Sequence, residues 1–235
     1  MYMHLFVCNP RIEDNTMHIE DERVIKYMSR VLRMKIHQEC LIQWQGINAT
    51  TRWHISLIDI AKNKIVARII DCKKNVKYLS NIDLLVALPN TFSKCEFIVQ
   101  KCTEVWVDAI YFWRWEKSII PTISEKRMQR LQTIALESVE QCKRRSVPTI
   151  GLLDNPRDIC RDKKVVAFDF VEGEAARLDS GWGIVWVVGP EWHFGQKDYL
   201  FLREVGYIPC SLGDHVLRTE TAAIVGAWYL CNIIK

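Results

Sequence analysis

Gly183-Ile-Val-Trp-Val-Val188 is a run of six residues without a charged side chain. A strand of this kind is at home where both of its faces are covered, in the middle of a sheet with helices on either side. Asp83-Leu-Leu-Val-Ala-Leu-Pro89, Ala109-Ile-Tyr-Phe-Trp113 and Lys164-Val-Val-Ala-Phe168 share the character. Helical stretches alternate with them: from Cys95 to Trp106, from Ser124 (a plausible N-cap) to about Lys143, from Gln196 to Val205, and from Glu220 to Ile233. Alternation of buried strands with helices gives an α/β fold around a parallel sheet.

The first seventy-odd residues read differently. Asp21 to Met34 places Val24, Ile25, Met28, Val31 and Leu32 at helical spacing. Cys40–Gly46, Arg52–Ile58 and Lys64–Ile70 are short, rich in β-branched and aromatic residues, and separated by polar loops, the pattern of a small barrel. The polar, basic run Asp71-Cys-Lys-Lys-Asn-Val-Lys77 reads as a break, dividing the chain into domains over residues 1–74 and 75–235.

Composition narrows the function less than the fold. At 235 residues, 49% hydrophobic and 26% charged, the chain is neither collagen-like, coiled-coil nor disordered. Lys+Arg exceed Asp+Glu by 32 to 28, and the net charge of +4 permits a nucleic-acid partner without requiring one. Nine cysteines, an odd number with no C-x-x-C pair, argue against a disulfide framework or a zinc site and for reduced thiols. No apolar run reaches the ~20 residues of a membrane span. The first residues also lack the basic start and apolar core of a secretory signal. The expectation is a cytoplasmic protein with no metal and no membrane partner.

Three C-terminal segments bear on chemistry: Val187-Val-Gly-Pro-Glu191, Pro209-Cys-Ser-Leu-Gly213 and Val216-Leu-Arg-Thr-Glu-Thr-Ala222. Glycine turns beyond the carboxyl ends of strands are where open α/β sheets bind ligands, although either glycine alone also suits a plain tight turn. In this order the three segments resemble the RsmE family, small-subunit ribosomal RNA uridine-N3 methyltransferases of the SPOUT class. Val31-Leu-Arg33, Lys94 with Gln100-Lys-Cys-Thr-Glu104 and Val107, Glu116-Lys-Ser118, and Glu137, Glu140-Gln141, Arg144 and Pro148 extend the resemblance over nearly the whole chain.

The resemblance implies an N-terminal PUA-like β-barrel that helps hold RNA, then a SPOUT α/β domain with a deep C-terminal trefoil knot. It implies S-adenosylmethionine (SAM) as cofactor, ribosomal RNA or the small ribosomal subunit as partner, and a homodimer. Carried over to this chain, the cofactor residues are Phe170, Val188, Gly189, Glu191, Leu212, Gly213, Val216 and Leu217, and the catalytic residues Arg218 and Glu220. Read from their charge, Arg33, Lys94, Lys101, Lys117, Arg144 and Arg145 could neutralise RNA phosphates, although each taken alone also suits a plain solvated face. Uracil N3 becomes a good nucleophile only once it has lost its proton, so the site needs a base or a positive charge near the developing oxyanion. Arg218 suits that charge, and Glu220 would orient Arg218 or move the proton; a structural Arg218–Glu220 ion pair is the alternative. Glu104 is expected to hold a basic neighbour. Trp113 or Trp115, if exposed, would stack on a base, core packing being the default for most tryptophans.

The chain departs from the family at glycines. Trp192 and His193 replace the two glycines of G-P-E-G-G-F, Trp106 that of E-L-G-V, and His37 stands where glycine is preferred. At Trp192 and His193 the expectation is a reshaped turn rather than left-handed backbone. The alternative functions are a non-catalytic RNA-binding protein that keeps the fold, and the same chemistry on another RNA.

Overall fold

A computed structural model describes residues 3–45, 49–76, 80–118, 122–169, 183–191 and 193–233. Phe170 and Trp192 therefore lie outside the described residues. Two compact units are present: Met1–Tyr78 with Val139–Ser146, and Leu79–Ser138 with Val147–Lys235.

The smaller unit contains β1 (Leu5–Val7), β2 (Arg11–Glu13), β3 (Thr16–Ile19), α1 (Glu22–Lys26), β4 (Glu39–Gln45), β5 (Ala49–Ile60) and β6 (Ile65–Val76). Its sheet has the order β1-β4-β5-β6-β3-β2, with β1 parallel to β4 and the other pairs antiparallel. Alternate residues turn inward, so that Phe6, Met17, Ile19, Ile42, Ile55, Leu57 and Ile65 make a buried core. Asp21 caps α1, its carboxylate accepting from the Val24 N–H at 3.1 Å. The helix passes into a π-helical turn over Tyr27–Val31 and stops short of the expected Met34, Arg33 turning left-handed at φ 50°.

The polar run expected as a break is strand: Asp71–Val76 of β6 pairs with Ala49–His54 of β5. Its charged side chains are outward-facing strand positions, which polarity alone does not separate from a loop. The segment Val139–Ser146 is fixed to this unit by a bidentate ion pair. Arg23 donates to the Glu140 carboxylate at 2.9 and 3.0 Å and to the Val7 carbonyl at 2.8 Å, and Glu140 accepts from the Val7 N–H at 2.8 Å.

The larger unit carries β7 (Ile82–Ala87), α2 (Phe92–Glu104), β8 (Ala109–Trp113), α3 (Glu125–Cys142, its end counted with the smaller unit), β9 (Thr149–Leu152) and α4 (Arg157–Cys160). It continues through β10 (Lys163–Phe168), β11 (Gly183–Val188), α5 (Gln196–Glu204), β12 (Ile208–Cys210) and α6 (Thr219–Ile233). The sheet order is β12-β10-β11-β7-β8-β9 and every pair is parallel. β11 is interior, as its composition requires: Ile184, Trp186 and Val188 enter one buried cluster and Val185 and Val187 the other. The fold of this unit is a mixed α/β arrangement.

Three positions where glycine was expected hold left-handed backbone with large side chains: His37 at φ 70°, Trp106 at 75° and His193 at 62°. The expectation of a reshaped turn is thus corrected at His193. A single residue in the left-handed region costs roughly 1–2 kcal/mol, an amount that neighbouring contacts can offset, and histidine is among the side chains that tolerate it.

Candidate active site

A cavity of about 570 Å³ opens above the carboxyl ends of β10 and β11. Its walls are set by strand ends: Phe168 and Asp169 leave β10, Val188 to Glu191 leave β11, and Asn90 follows β7. α2 contributes Lys94, and the approach to α6 contributes Val216, Leu217 and Arg218. Parallel strands leave their last residues at one edge of the sheet, and the turns that follow diverge there to form a crevice.

The turn after β11 is fixed from two sides. The Thr219 hydroxyl, on a residue only 4% exposed, donates to the Gly189 carbonyl at 3.2 Å, tying the start of α6 to the Gly-Pro-Glu turn. Opposite, Phe194 lies so close that a Cβ on residue 189 would stand 2.9 Å from its ring. Glycine at 189 is needed for that approach.

Of the sequence-derived cofactor residues, Val188, Gly189, Glu191, Val216 and Leu217 line the cavity. Leu212 packs against the larger apolar cluster and Gly213 is an exposed turn residue at φ 110°, a conformation that asks for glycine; neither is in the cavity wall. The Ser211 hydroxyl closes that turn, donating to the Gly213 carbonyl at 3.1 Å and accepting from its N–H at 3.3 Å. Arg218 lines the cavity, is exposed, and makes no ion pair with Glu220. Glu220 lies behind the wall, with one carboxylate oxygen fully buried and without a hydrogen-bond donor among the described residues.

The RNA residues scatter. Arg33, Lys117 and Arg145 are exposed. Lys101 is engaged by Glu104 at 2.9 Å, so Glu104 does hold a basic neighbour. Lys94 is in the cavity wall, bonded to Glu191, rather than on an outer face. Arg144 is 0% exposed, its guanidinium reaching the Ser146 hydroxyl at 3.2 Å. A side chain without accessible surface cannot meet a phosphate, and Arg144 is corrected to a structural residue. Trp115 is likewise buried, its ring 5.0 Å from that of Phe194, which removes it as a base-stacking platform.

Sequence reasoning missed Asp169. Its carboxylate accepts from the hydroxyls of Tyr199 at 3.1 Å and Tyr207 at 3.4 Å. Burial, followed by the negative charge of Asp169, pushes the Tyr199 phenol up to about 12 and raises that of Tyr207, so both stay protonated donors. The signal was available: Asp169 is the first residue past a buried strand, where ligand-facing groups gather.

A family model described as RNA methyltransferase domain matches residues 77–230. The chain belongs to this RNA methyltransferase family. The matched stretch contains every residue of the cavity wall named above. Among relatives of this methyltransferase chain is the ribosomal RNA small subunit methyltransferase E of Mesomycoplasma hyopneumoniae, 28% identical over 177 residues, or 72% of this chain and 77% of that one. The enzyme of the same name from Bacillus subtilis is 28% identical over 188 residues, 72% of each chain. Among solved structures, a ribosomal RNA small subunit methyltransferase E from Neisseria gonorrhoeae, crystallised bound to S-adenosyl methionine, shares the fold with a TM-score of 0.82. It is 23% identical, over 99% of this chain and 98% of that one.

Proposed function

We propose that the protein is a SAM-dependent methyltransferase that methylates N3 of a uridine in small-subunit ribosomal RNA. The observation that carries this reading is the meeting, in one cavity, of the Gly189-Pro-Glu191 turn and the Val216-Leu-Arg218 approach to α6, segments 25 residues apart in sequence (191 to 216). The cavity suits a nucleoside-sized cofactor. Its volume lies within the roughly 300–1,000 Å³ of small-molecule sites. Apolar Phe168, Val188, Phe194, Val216 and Leu217 would face the flat and aliphatic parts of the ligand, while Asp169 and the backbone around Gly189 supply a few polar groups. SAM, when bound, supplies an activated methyl group on a sulfonium.

The chain's own part is positioning and charge. Arg218 stands at the cavity with no carboxylate on its guanidinium among the described residues, available to donate to the uracil oxygen that becomes negative as N3 loses its proton. Phe170, Leu212 and Gly213 remain proposed cofactor contacts. Residues 1–74 are proposed as a PUA-like barrel for RNA and 75–235 as a SPOUT domain with a trefoil knot, acting as a cytoplasmic homodimer. Val225 and Trp228, 41% and 57% exposed on the last helix, suit a subunit contact.

For RNA, the smaller unit offers a cation held by neutral groups. Arg52 donates to the Gln43 side-chain oxygen at 2.5 Å and to the Lys143 carbonyl at 3.2 Å, and no carboxylate among the described residues pairs with it. Burial lowers its pKa, and the nearby charge of Arg145 lowers it further. Lys73 is its neighbour across the β5–β6 pair. Phosphates would supply the missing anions. The reading is tested by incubating the protein with SAM and small-subunit RNA or subunits and analysing nucleosides by mass spectrometry. New 3-methyluridine is expected; SAM binding without methyl incorporation would favour the non-catalytic alternative.

A further inference from the structure

Lys94 lies between two carboxylates. Its Nζ is bonded to Glu191 Oε1 and stands 3.8 Å from Glu220 Oε2, too far for a hydrogen bond. That second oxygen is buried and has no donor among the described residues. A buried carboxylate oxygen without a hydrogen bond is costly and rare, and Lys94, already within ion-pair range of it, would satisfy it by moving less than about 1.5 Å closer. Among the described residues, the cation within ion-pair range is the one already used by Glu191. Three separate elements hold the trio in place: α2 carries Lys94, the turn after β11 carries Glu191, and the first turn of α6 carries Glu220, the last two joined by the Thr219–Gly189 bond.

We propose that Lys94 is a positioning residue that transfers from Glu191 to Glu220 when Glu191 accepts the substrate's imide proton. The inference rests on the methyltransferase reading above. The N3–H bond of the uracil breaks, an O–H bond forms on the Glu191 carboxylate, and the electron pair stays on the ring nitrogen. Protonated Glu191 no longer holds an ammonium, and Lys94 moves toward Glu220 Oε2, closing the gap and satisfying the orphan. The lost ion pair is replaced by a new one, which removes the main obstacle to using a lysine-bound carboxylate as a base. A flexible ammonium, a point charge on four methylenes, is suited to this where a forked guanidinium is not. The other titratable or charged side chains of the cavity wall are Asp169 from β10, bound to two tyrosines, His193 from the turn after β11, and Arg218 before α6. On α2, Glu96 is taken by Arg130 at 3.1 Å. Among the described wall residues Lys94 is the only ammonium, so Glu191 and Glu220 draw on the same cation.

The direct test is a crystal structure of Glu191→Gln, whose amide mimics the protonated acid. Lys94 Nζ is expected within about 3 Å of Glu220 Oε2. Lys94 remaining against residue 191, with the Glu220 oxygen still bare, would overturn the proposal. The second test is the pH dependence of methyl transfer. Removing a cation beside a carboxylate base moves the acid limb of the profile to higher pH, and removing an anion that competes for that cation moves it lower. Lys94→Met should therefore shift the limb upward and Glu220→Gln downward, each with a rate loss of roughly tenfold or more at neutral pH. Limbs that stay in place or move in the same direction count against the transfer and leave a structural ion pair. Should the parent protein methylate no uridine, the substrate reading fails, and the crystal structure still decides where Lys94 goes.

Discussion

The cavity of the larger unit and the Arg52 site of the smaller one treat charge in opposite ways. At the cavity of the larger unit, charged groups are met by partners: Lys94 by Glu191, Asp169 by two tyrosine hydroxyls. In the smaller unit, Arg52 is held by an amide oxygen and a carbonyl, with no carboxylate on it among the described residues, and the charge of Arg145 weighs against its own. Paired charges in a pocket hold geometry for a reaction. Cations without acids between them create a field that any polyanion senses. At the cavity Arg218 is the exception, a cation with no carboxylate on it among the described residues, and it is where the comparison breaks most sharply.

Arg218→Ala should therefore give the largest effect. Methyl transfer is expected to fall by roughly ten- to a thousand-fold, the range for removing one electrostatic interaction with a transition state, with SAM affinity by calorimetry nearly unchanged. Arg218→Lys should rescue poorly because a point charge replaces a planar fork. Full activity in the alanine variant would make Arg218 as incidental as any surface arginine.

The matching experiment on the smaller unit is Lys73→Gln with Arg145→Gln, which leaves Arg52 and its hydrogen bonds in place. RNA affinity should weaken about 10-fold at low salt, and the slope of log affinity against log salt should fall by about 2, one for each phosphate no longer neutralised. SAM binding and thermal stability should not move. An unchanged salt slope would assign RNA binding elsewhere, to Arg33, Lys101 or Lys117.

Alkaline titration probes both units at once. Burial pushes the thiols of Cys8 and Cys40 in the smaller unit, and Cys95 in the larger, up to about 12 from an ordinary 9.0. For an acid whose folded-state value is raised, the neutral form is favoured by folding. Its contribution is complete below pH ~9 and is lost as the pH rises toward ~12, by about 1.4 kcal/mol per pH unit for each thiol. Melting temperature should drop steeply between pH ~9 and ~11, and Cys40→Ala should flatten the drop after its own cavity cost is subtracted at pH ~7. Parallel pH curves for parent and variant would show the thiol to be no contributor.

What the sequence disclosed, and what it hid, follows the same division. Buried parallel strands leave an apolar signature, so β7, β8, β10 and β11 were legible to within a few residues. The outer end of β6 was not, because Asp71, Lys73 and Lys74 sit where a strand faces water and polarity there says nothing about pairing. Val139–Ser146 belonging with the smaller unit depends on Glu140 meeting Arg23 and Val7, residues more than a hundred positions away that no local pattern links. In the cavity, motif order pointed to Gly189, Glu191 and Arg218, whereas Asp169 went unread despite its place just past β10, and the bond of Lys94 to Glu191 is visible only in the structure. Arg144 failed for the converse reason: a basic motif residue gives no sign of whether its side chain is buried.

The smallest effect concerns the histidines that replace expected glycines, one in each unit. His37 is exposed at φ 70°, and His193 lines the cavity at φ 62°. Left-handed backbone strains both, and glycine would relieve that strain while adding freedom to the unfolded chain. The net gain should be about 0.5–1 kcal/mol at each site, a rise of a few degrees in melting temperature. If the strain is merely tolerated, His37→Gly and His193→Gly will stabilise equally and leave activity untouched. If the side chain at 193 shapes the cavity beside Glu191, His193→Gly will show the same stabilisation but weaker SAM binding or slower methylation, and His37→Gly will not. A gain in activity from His193→Gly would instead mark the histidine as an impairment that the fold has accommodated, and the cavity wall would then owe its shape to the backbone alone.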